Sequence, residues 1–470
     1  MINIGKKCLA ALLAASMVFG VTGCGKQKKA KKPYVQSTAE VKNGTAKAEG
    51  KGKQQSEVPL IIGCGRLDKN FNPFLAQAAS DEQVMNLTQT KLFDTDRAGR
   101  LVEKGIDGEL REYNDENYTY YGIADIKKAR RTKANYTVYR ITIRDDLLFS
   151  DGQPITIDDV IFSLYAFCDN DYDGNVQLKS SNIRGLLNYQ ANNAQAESYT
   201  DKQVKKYIRK KPAALQKWMQ KHSSDESGYE SALERQARYL MAKQAKKKTR
   251  VNSIEGIKRL NDYELRIYTT GYDSRFEEKL QIPICPLHYY GDTTKYSYNA
   301  NKFGFKRGDL SAIRANKSSP VGAGAYRFVK YDSGIAYFMA NELYYQGCPK
   351  ITYVQLKDLT KLFKDEDLTG AKIADEMKGQ TVDVASLALT QSDLEAIGEI
   401  NGNGKMSGNE INTCQSANAS YAYWGLNPYR VCINNEPFSE QSAALRHAIA
   451  MVVSACRGVQ METEGAKLTS

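Results

Sequence analysis

Three histidines, His222, His288 and His447, are the whole imidazole complement of this 470-residue chain, and none has a second His at ligand spacing. No GxSxG, HExxH or Walker pattern accompanies them, so nucleophilic, zinc-hydrolytic and phosphoryl-transfer chemistry have no residues to stand on. No enzyme, no cofactor and no metal is expected. His288, two residues after Pro286, reads as a structural residue at a strand end. Two loops are rich in oxygen ligands. In Asp169-Asn170-Asp171-Tyr172-Asp173-Gly174 carboxylates alternate before a glycine, but the twelfth position is Ser180 where calcium loops place a bidentate Glu. Glu399 to Glu410 has the Glu at its twelfth position, yet most of its preceding ligands are neutral. Both read as polar turns beside helix ends, with calcium as the competing reading.

Cysteine supplies a different chemistry. Lys6 and Lys7 precede an apolar run from Cys8 to Val21, which closes on Val21-Thr22-Gly23-Cys24. The run is shorter than the ~18 to 20 residues a membrane span needs, and a Lys- and Gly-rich stretch follows it. This resembles a bacterial lipoprotein signal (1–23). The resemblance implies cleavage before Cys24 and lipidation of its thiol, with the membrane reached through that anchor; an ordinary secretory signal is the alternative. With Cys8 and Cys24 set aside, seven cysteines remain without a CxxC pair. Buried free thiols are the default, and a Cys414–Cys432 bridge is open in an exported protein.

The net charge of +12 is unevenly placed. Residues 24–58 carry nine lysines against three glutamates and almost no large apolar side chain, which reads as a flexible tether. Residues 201–250 carry fifteen Lys or Arg against five Asp or Glu. The rest of the chain is mildly acidic, so a nucleic-acid binder is excluded: the charge sits in a tether and an insert without base-stacking motifs.

The elements that must carry any site come next. Alternating patterns predict strands at Tyr136–Arg144, Tyr263–Tyr268, Ala325–Lys330, Ile335–Ala340 and Ile351–Leu356. Helices are expected at Ile157–Phe167, Tyr229–Lys248 and Ser442–Val453, and the polar stretch of about 175–250 reads as a basic helical insert. Such a mixture predicts an α/β (mixed) or α+β architecture. Ser150-Asp151-Gly152 should make a tight turn, with Thr156 capping the next helix and Asp159 three residues on; that helix should offer Val160, Ile161, Leu164 and Phe167 to a core.

The run Phe149-Ser150-Asp151-Gly152-Gln153-Pro154 through Asp159-Val160-Ile161-Phe162-Ser163 resembles the signature of the family 5 solute-binding proteins of ABC transporters, the oligopeptide and dipeptide binders. Further segments resemble that family in its own order: Asn72-Pro73-Phe74; Asn261 to Ile267; Ile284-Cys285-Pro286-Leu287-His288; Ser319-Pro320 through Gly322-Ala323-Gly324-Ala325-Tyr326; Asn341 to Pro349; and Tyr421 to Asn427 before Arg446-His447-Ala448-Ile449. The resemblance implies a periplasmic-binding-protein-like bilobal fold (type II, peptide-binding cluster), a peptide or similar solute held in a cleft, and delivery to permease subunits. It implies lobe I over 59–435 and a second lobe that begins at 436–470 and is otherwise largely missing. Asn72, Phe74, Tyr423, Trp424 and Asn427 are the cleft residues it suggests. The rival is a remnant or surface interaction lipoprotein that binds no ligand.

Overall fold

The computed structural model describes residues 58–222, 228–361, 363, 369–385, 391–413 and 425–463. Its first half runs β1 (Leu60–Cys64), α1 (Ala79–Thr88), β2 (Glu109–Tyr113), β3 (Glu116–Tyr120), β4 (Ala124–Arg131), β5 (Tyr136–Ile143), α2 (Ile157–Phe167), α3 (Leu186–Ala191), α4 (Asp201–Arg209), α5 (Ala213–Met219) and α6 (Tyr229–Gln244). There follow β6 (Ile257–Asn261), β7 (Glu264–Thr270), α7 (Leu287–Tyr290), β8 (Tyr296–Ser297), β9 (Lys302–Phe303) and α8 (Ser311–Ala315). The last part holds β10 (Tyr326–Asp332), β11 (Ile335–Ala340), β12 (Tyr353–Asp358), α9 (Gly370–Lys378), β13 (Val384–Ala385), α10 (Gln391–Ile400) and α11 (Glu440–Thr463). The fold is mixed α/β.

Two sheets carry the architecture. One has the order β10-β11-β12-β1-β13, in which β1 runs parallel to β12 and β13 while β10, β11 and β12 are antiparallel neighbours. The other is the antiparallel set β4-β5-β7-β6, with Val138 opposite Tyr268 and Ile141 opposite Leu265. Alternation explains the second sheet: in β5 Thr137, Tyr139, Ile141 and Ile143 turn inward while Arg140 faces out to Glu264.

Helix α2 starts where the sequence places it. The Thr156 side chain accepts from Asp158 N, and Asp159 Oδ2 accepts from Thr156 N at 2.9 Å, which closes the capping box. The expected apolar stripe is wider than Val160, Ile161, Leu164 and Phe167, for every residue of α2 except Asp158 is buried. A helix apolar nearly all round belongs inside a core. The rings confirm the placement: Tyr165 stacks on Phe303 at 3.5 Å, and Phe162 meets Phe74 edge-on at 5.8 Å. Its buried polar groups are satisfied, since Ser163 Oγ donates to Asp159 O and accepts from Cys285 N.

Between residues 175 and 250 the described residues form α3 to α6 and no strand. Val204, Leu215, Ala237 and Ala242 are the fully buried apolar contacts of α4, α5 and α6. Arg235 is half-buried beside them and donates to Lys179 O and Gln190 Oε1. Of the Tyr421–Asn427 segment, residues 421–424 lie outside the described residues, and 425–427 are not in a strand.

Candidate functional site

The glycine- and proline-bearing turns that stand far apart in sequence meet in space. Ser150 N donates to Gly322 O at 2.9 Å, and His288 Nε2 lies 2.7 Å from Asp151 Oδ2. Tyr289 Oη donates to Ser319 O, Tyr290 Oη accepts from Val321 N, and Asn316 Nδ2 donates to Tyr289 O. Asn341 completes the set, donating through Nδ2 to Gly324 O and accepting from Leu343 N. Gly322 and Gly324 sit against the end of α1: a Cβ at Gly322 would lie 2.4 Å from Thr88 O, and one at Gly324 would lie 2.4 Å from Leu87 O. Only glycine permits that approach.

A cavity of about 570 Å³ lies beside the end of α1, with Ala325 of the glycine turn in its lining. Its walls are the Pro73–Phe74 turn, Met85 and Asn86 of α1 with Gln89 just past its end, the segment 90–94, the 122–124 strand entry and the pair Tyr344–Tyr345. Extended backbone at 90–92 is held by Leu92 N donating to Ile282 O, and Ile284 N donates back to Thr90 O. Thr90 Oγ1 donates to Ala323 O at 2.6 Å. Tyr344 and Tyr345 meet edge to face at 4.9 Å, and burial raises the phenol of Tyr345 above its ordinary range. Glu82, Lys91 and Asp94 are exposed lining residues, so both signs of charge are offered. The chemistry on show is amide, phenol and mixed charge beside apolar wall, which suits binding.

Of the Asn72-Pro73-Phe74 turn, Pro73 and Phe74 line this cavity and Asn72 does not. Asn72 is 0% exposed; its Nδ2 donates to Ile313 O at 2.7 Å and Asn316 O at 3.0 Å, and its Oδ1 accepts from Phe74 N at 2.9 Å. Its hydrogen-bonding groups are thus spent on holding the turn. Phe74 is 2% exposed, lines the cavity wall and packs on Phe162, Phe167 and Tyr290. Asn427 lies elsewhere: its Oδ1 accepts from Tyr429 N in the loop before α11, and it does not line this cavity. Tyr423, Trp424 and Cys24 lie outside the described residues. Gln89, Tyr344 and Tyr345 were not singled out from sequence as site residues, although the Asn341-to-Pro349 segment that carries the tyrosines was.

The oxygen-rich loops turn their ligands inward on the protein. The Asp169 carboxylate accepts from Asp171 N and Gly308 N, Asp171 Oδ2 accepts from Leu310 N, and Arg314 pairs with Asp173 at 2.7 Å. Lys179 Nζ donates to the Asn170 and Tyr172 carbonyls. In the second loop Asn401 bonds to Lys405 O and Ile411 O, and Asn403 to Lys405 N and Ser407 O. His288 sits on the one-turn helix α7, where a strand end was expected; Asp151 raises its pKa. Cys64 and Cys168 are buried free thiols pushed up to about 12 by burial, which makes them poor nucleophiles; Cys285 is buried and free as well. Cys414 lies outside the described residues, so the Cys414–Cys432 pairing has no described geometry.

The family model of the bacterial extracellular solute-binding proteins, family 5 middle, matches residues 127–454. The chain belongs to this family. Three members of the solved-structure set that it resembles are low in identity. The Bacillus subtilis oligopeptide-binding protein AppA, in complex with a nonapeptide, is 15% identical over 73% of this chain and 46% of its own, with a TM-score of 0.44. Lactococcal OppA with an endogenous peptide is 14% identical over 70% and 45%, with a TM-score of 0.42. NikZ from Campylobacter jejuni with Ni(L-His) is 20% identical over 72% and 45%, with a TM-score of 0.38. The chain therefore spans about half the length of these structures. No curated protein matches. Among the described residues of this family 5 protein no helix is long and apolar enough to cross a membrane.

Proposed function

We propose that the chain is an extracytoplasmic receptor for oligopeptides or a similar small solute, tethered to the membrane through a lipidated Cys24 and serving an ABC permease. The observation that carries this reading is the family 5 match over residues 127–454. The cavity supports it: about 570 Å³ lies within the ~300 to 1,000 Å³ range of ligand pockets, and Lys91 with Asp94 and Glu82 gives partners for both termini of a zwitterion. Such a receptor needs no covalent step. Peptide main chain is satisfied by hydrogen bonds, directly or through water, while side chains are left loosely held, which favours broad specificity.

Native mass spectrometry of the full chain tests the reading, with retained peptide masses expected and their loss on Tyr345→Ala. A clean apo mass, together with no thermal shift on adding a mixed tryptic peptide pool, would sink the receptor in favour of an interaction lipoprotein that binds no ligand.

A further inference from the structure

A second concavity, of about 610 Å³, opens between α3 and the β8–β9 hairpin, away from the Phe74 cavity. Its lining holds Arg250, Lys295, Lys302, Lys306 and Arg307, and no carboxylate. Five cations around one hollow repel one another, and nothing in the wall itself compensates them. Two have acidic partners just outside the lining: Lys295 pairs with Asp292 at 2.7 Å, and Lys306 lies 3.7 Å from Asp309. Arg250 and Lys302 have no ion-pair partner among the described residues.

Arg307 is the fixed point. Its Nη1 donates to Val251 O at 2.5 Å and to Tyr189 O at 3.2 Å, and its guanidinium sits 4.9 Å from the centre of the Tyr189 ring. Those contacts hold the plane of the fork before any ligand arrives. Tyr189, Phe303 and Phe305 supply an apolar wall, which strengthens every charge beside it, and the Asn252 and Asn301 amides lie in the same lining. A cleft of one sign with low-dielectric walls focuses its field and concentrates counter-charge.

The geometry points to a binding site for a polyanion whose charges are phosphate groups. A planar guanidinium held in place suits bidentate capture of a phosphate, with the lysines as mobile point charges around it. More than one phosphate is implied because five cations line a single open hollow. The run Lys246-Lys247-Lys248-Thr249-Arg250, exposed from Lys246 onward where the helical insert returns to the core, leads an extended anion into it. The phosphates belong either to a free oligophosphate or to the headgroups of an anionic membrane surface.

The test uses the chain from residue 24 onward with Cys24→Ser, so that neither the signal nor a lipid anchor intervenes. Two probes are read: calorimetric titration with inorganic tripolyphosphate, and co-sedimentation with phosphatidylcholine vesicles with and without phosphatidylglycerol. Saturable binding to either probe is expected, weakening with added salt, and Lys302→Glu/Lys306→Glu should reduce it by about tenfold or more because each lost phosphate contact also loses its counterion release. Binding to tripolyphosphate alone assigns a free oligophosphate, and binding to the phosphatidylglycerol vesicles alone assigns the headgroup. Both side chains are exposed, so an unchanged thermal midpoint will show the variant folded; Arg250→Glu serves if it does not. The absence of saturable binding to both probes, or equal binding by the charge-reversed variants, overturns the site and leaves the tether lysines as the only anion attractors.

Discussion

His288 Nε2 and Asp151 Oδ2 approach to 2.7 Å across 137 residues of chain, joining the Ser150-Asp151-Gly152 turn to the one-turn helix α7. Hydrogen bonding to Asp151 raises the His288 pKa, while burial opposes it; for Asp151 burial raises the pKa, and the bonds from His288 and Gln153 N outweigh it to leave a net lowering. The histidine contributes fully below its unfolded value of about 6.5 and loses that contribution as pH rises through its folded value. The aspartate contributes above about 3.9 and loses it as pH falls. The pair is therefore strongest between about pH 4 and 6.5. Both side chains are about a third exposed, so the contribution is at most about 1 kcal/mol. Urea melts of wild type and His288→Asn should differ most near pH 5.5 and converge by pH 8.5; a gap that stays constant with pH would show that His288 acts through packing on Phe149 alone.

Asp159 provides a second, independent pH response. Burial pushes its carboxyl up to about 6, against the bonds it accepts from Leu287 N and Thr156 N. A carboxyl raised in the folded state favours folding while protonated, so this contribution is present below about pH 4 and fades as pH rises through about 6. Asp159→Asn keeps one acceptor oxygen and cannot ionise. Its stability should be flatter than that of wild type across this interval, and equal slopes in the two pH series would refute the assignment.

Asn72 and Phe74 divide the same turn between polar and apolar support. Phe74→Ala removes a ring packed on three others and should cost about 3 to 5 kcal/mol. Asn72→Ala removes both donors to the Ile313 and Asn316 carbonyls and should cost about 1 to 3 kcal/mol by stranding buried groups. Denaturant melts of the two variants check the order; an Asn72→Ala chain as stable as wild type would free Asn72 for a role in ligand contact.

How much of this was legible follows from the range of the forces involved. The β5 alternation and the Thr156–Asp159 box are local, and the helix begins at Ile157 as those residues require. Ile335–Ala340 is likewise bounded as its pattern indicates. The strand predicted from Ile351 starts only at Tyr353, because pairing with β11 and β1 sets its ends. The site was less legible. Asn72 carries a family motif, but nothing in its neighbours reveals that residues 313 and 316 will need its amide. Tyr344 and Tyr345 reach the cavity only because Asn341 anchors their turn to Gly324. The basic groove joins Arg250 to Lys302 and Arg307 across a hairpin, and periodicity does not report such pairings.

The Gly322 and Gly324 turn makes the sharpest stability prediction. Each would-be methyl meets backbone of α1, whose end also receives Gly324 N at Thr88 O, 2.9 Å. Backbone cannot rotate aside as a flexible side chain can, so Gly324→Ala must push β10 away from α1 and should cost about 1 to 3 kcal/mol. Since Gln89 donates to Val321 O and lines the cavity, the same displacement should weaken any ligand held there. Gly152→Ala is the contrast: its Cβ would meet nothing, and only its positive φ of 85° resists. It should cost about 1 kcal/mol and leave ligand retention intact. Equal losses from both variants would mean that backbone conformation, and not the close approach to α1, governs the Gly324 turn.

Cys24 carries the prediction about location. Stable anchoring takes two or more acyl chains, because one alone binds only marginally. If the thiol bears a diacylglycerol and cleavage precedes it, the protein should partition into detergent on Triton X-114 phase separation. Cys24→Ser should abolish metabolic labelling with palmitate, while the retained signal adds its residues to the mass; the same variant made without residues 1–23 should enter the aqueous phase. The lysines of residues 24–58 persist in that variant. Residual membrane association that disappears in high salt would measure their electrostatic share, since a screened contribution falls with ionic strength and an acyl contribution does not. Signal cleavage and palmitate labelling that are unchanged in Cys24→Ser would refute the anchor and support an ordinary secretory signal.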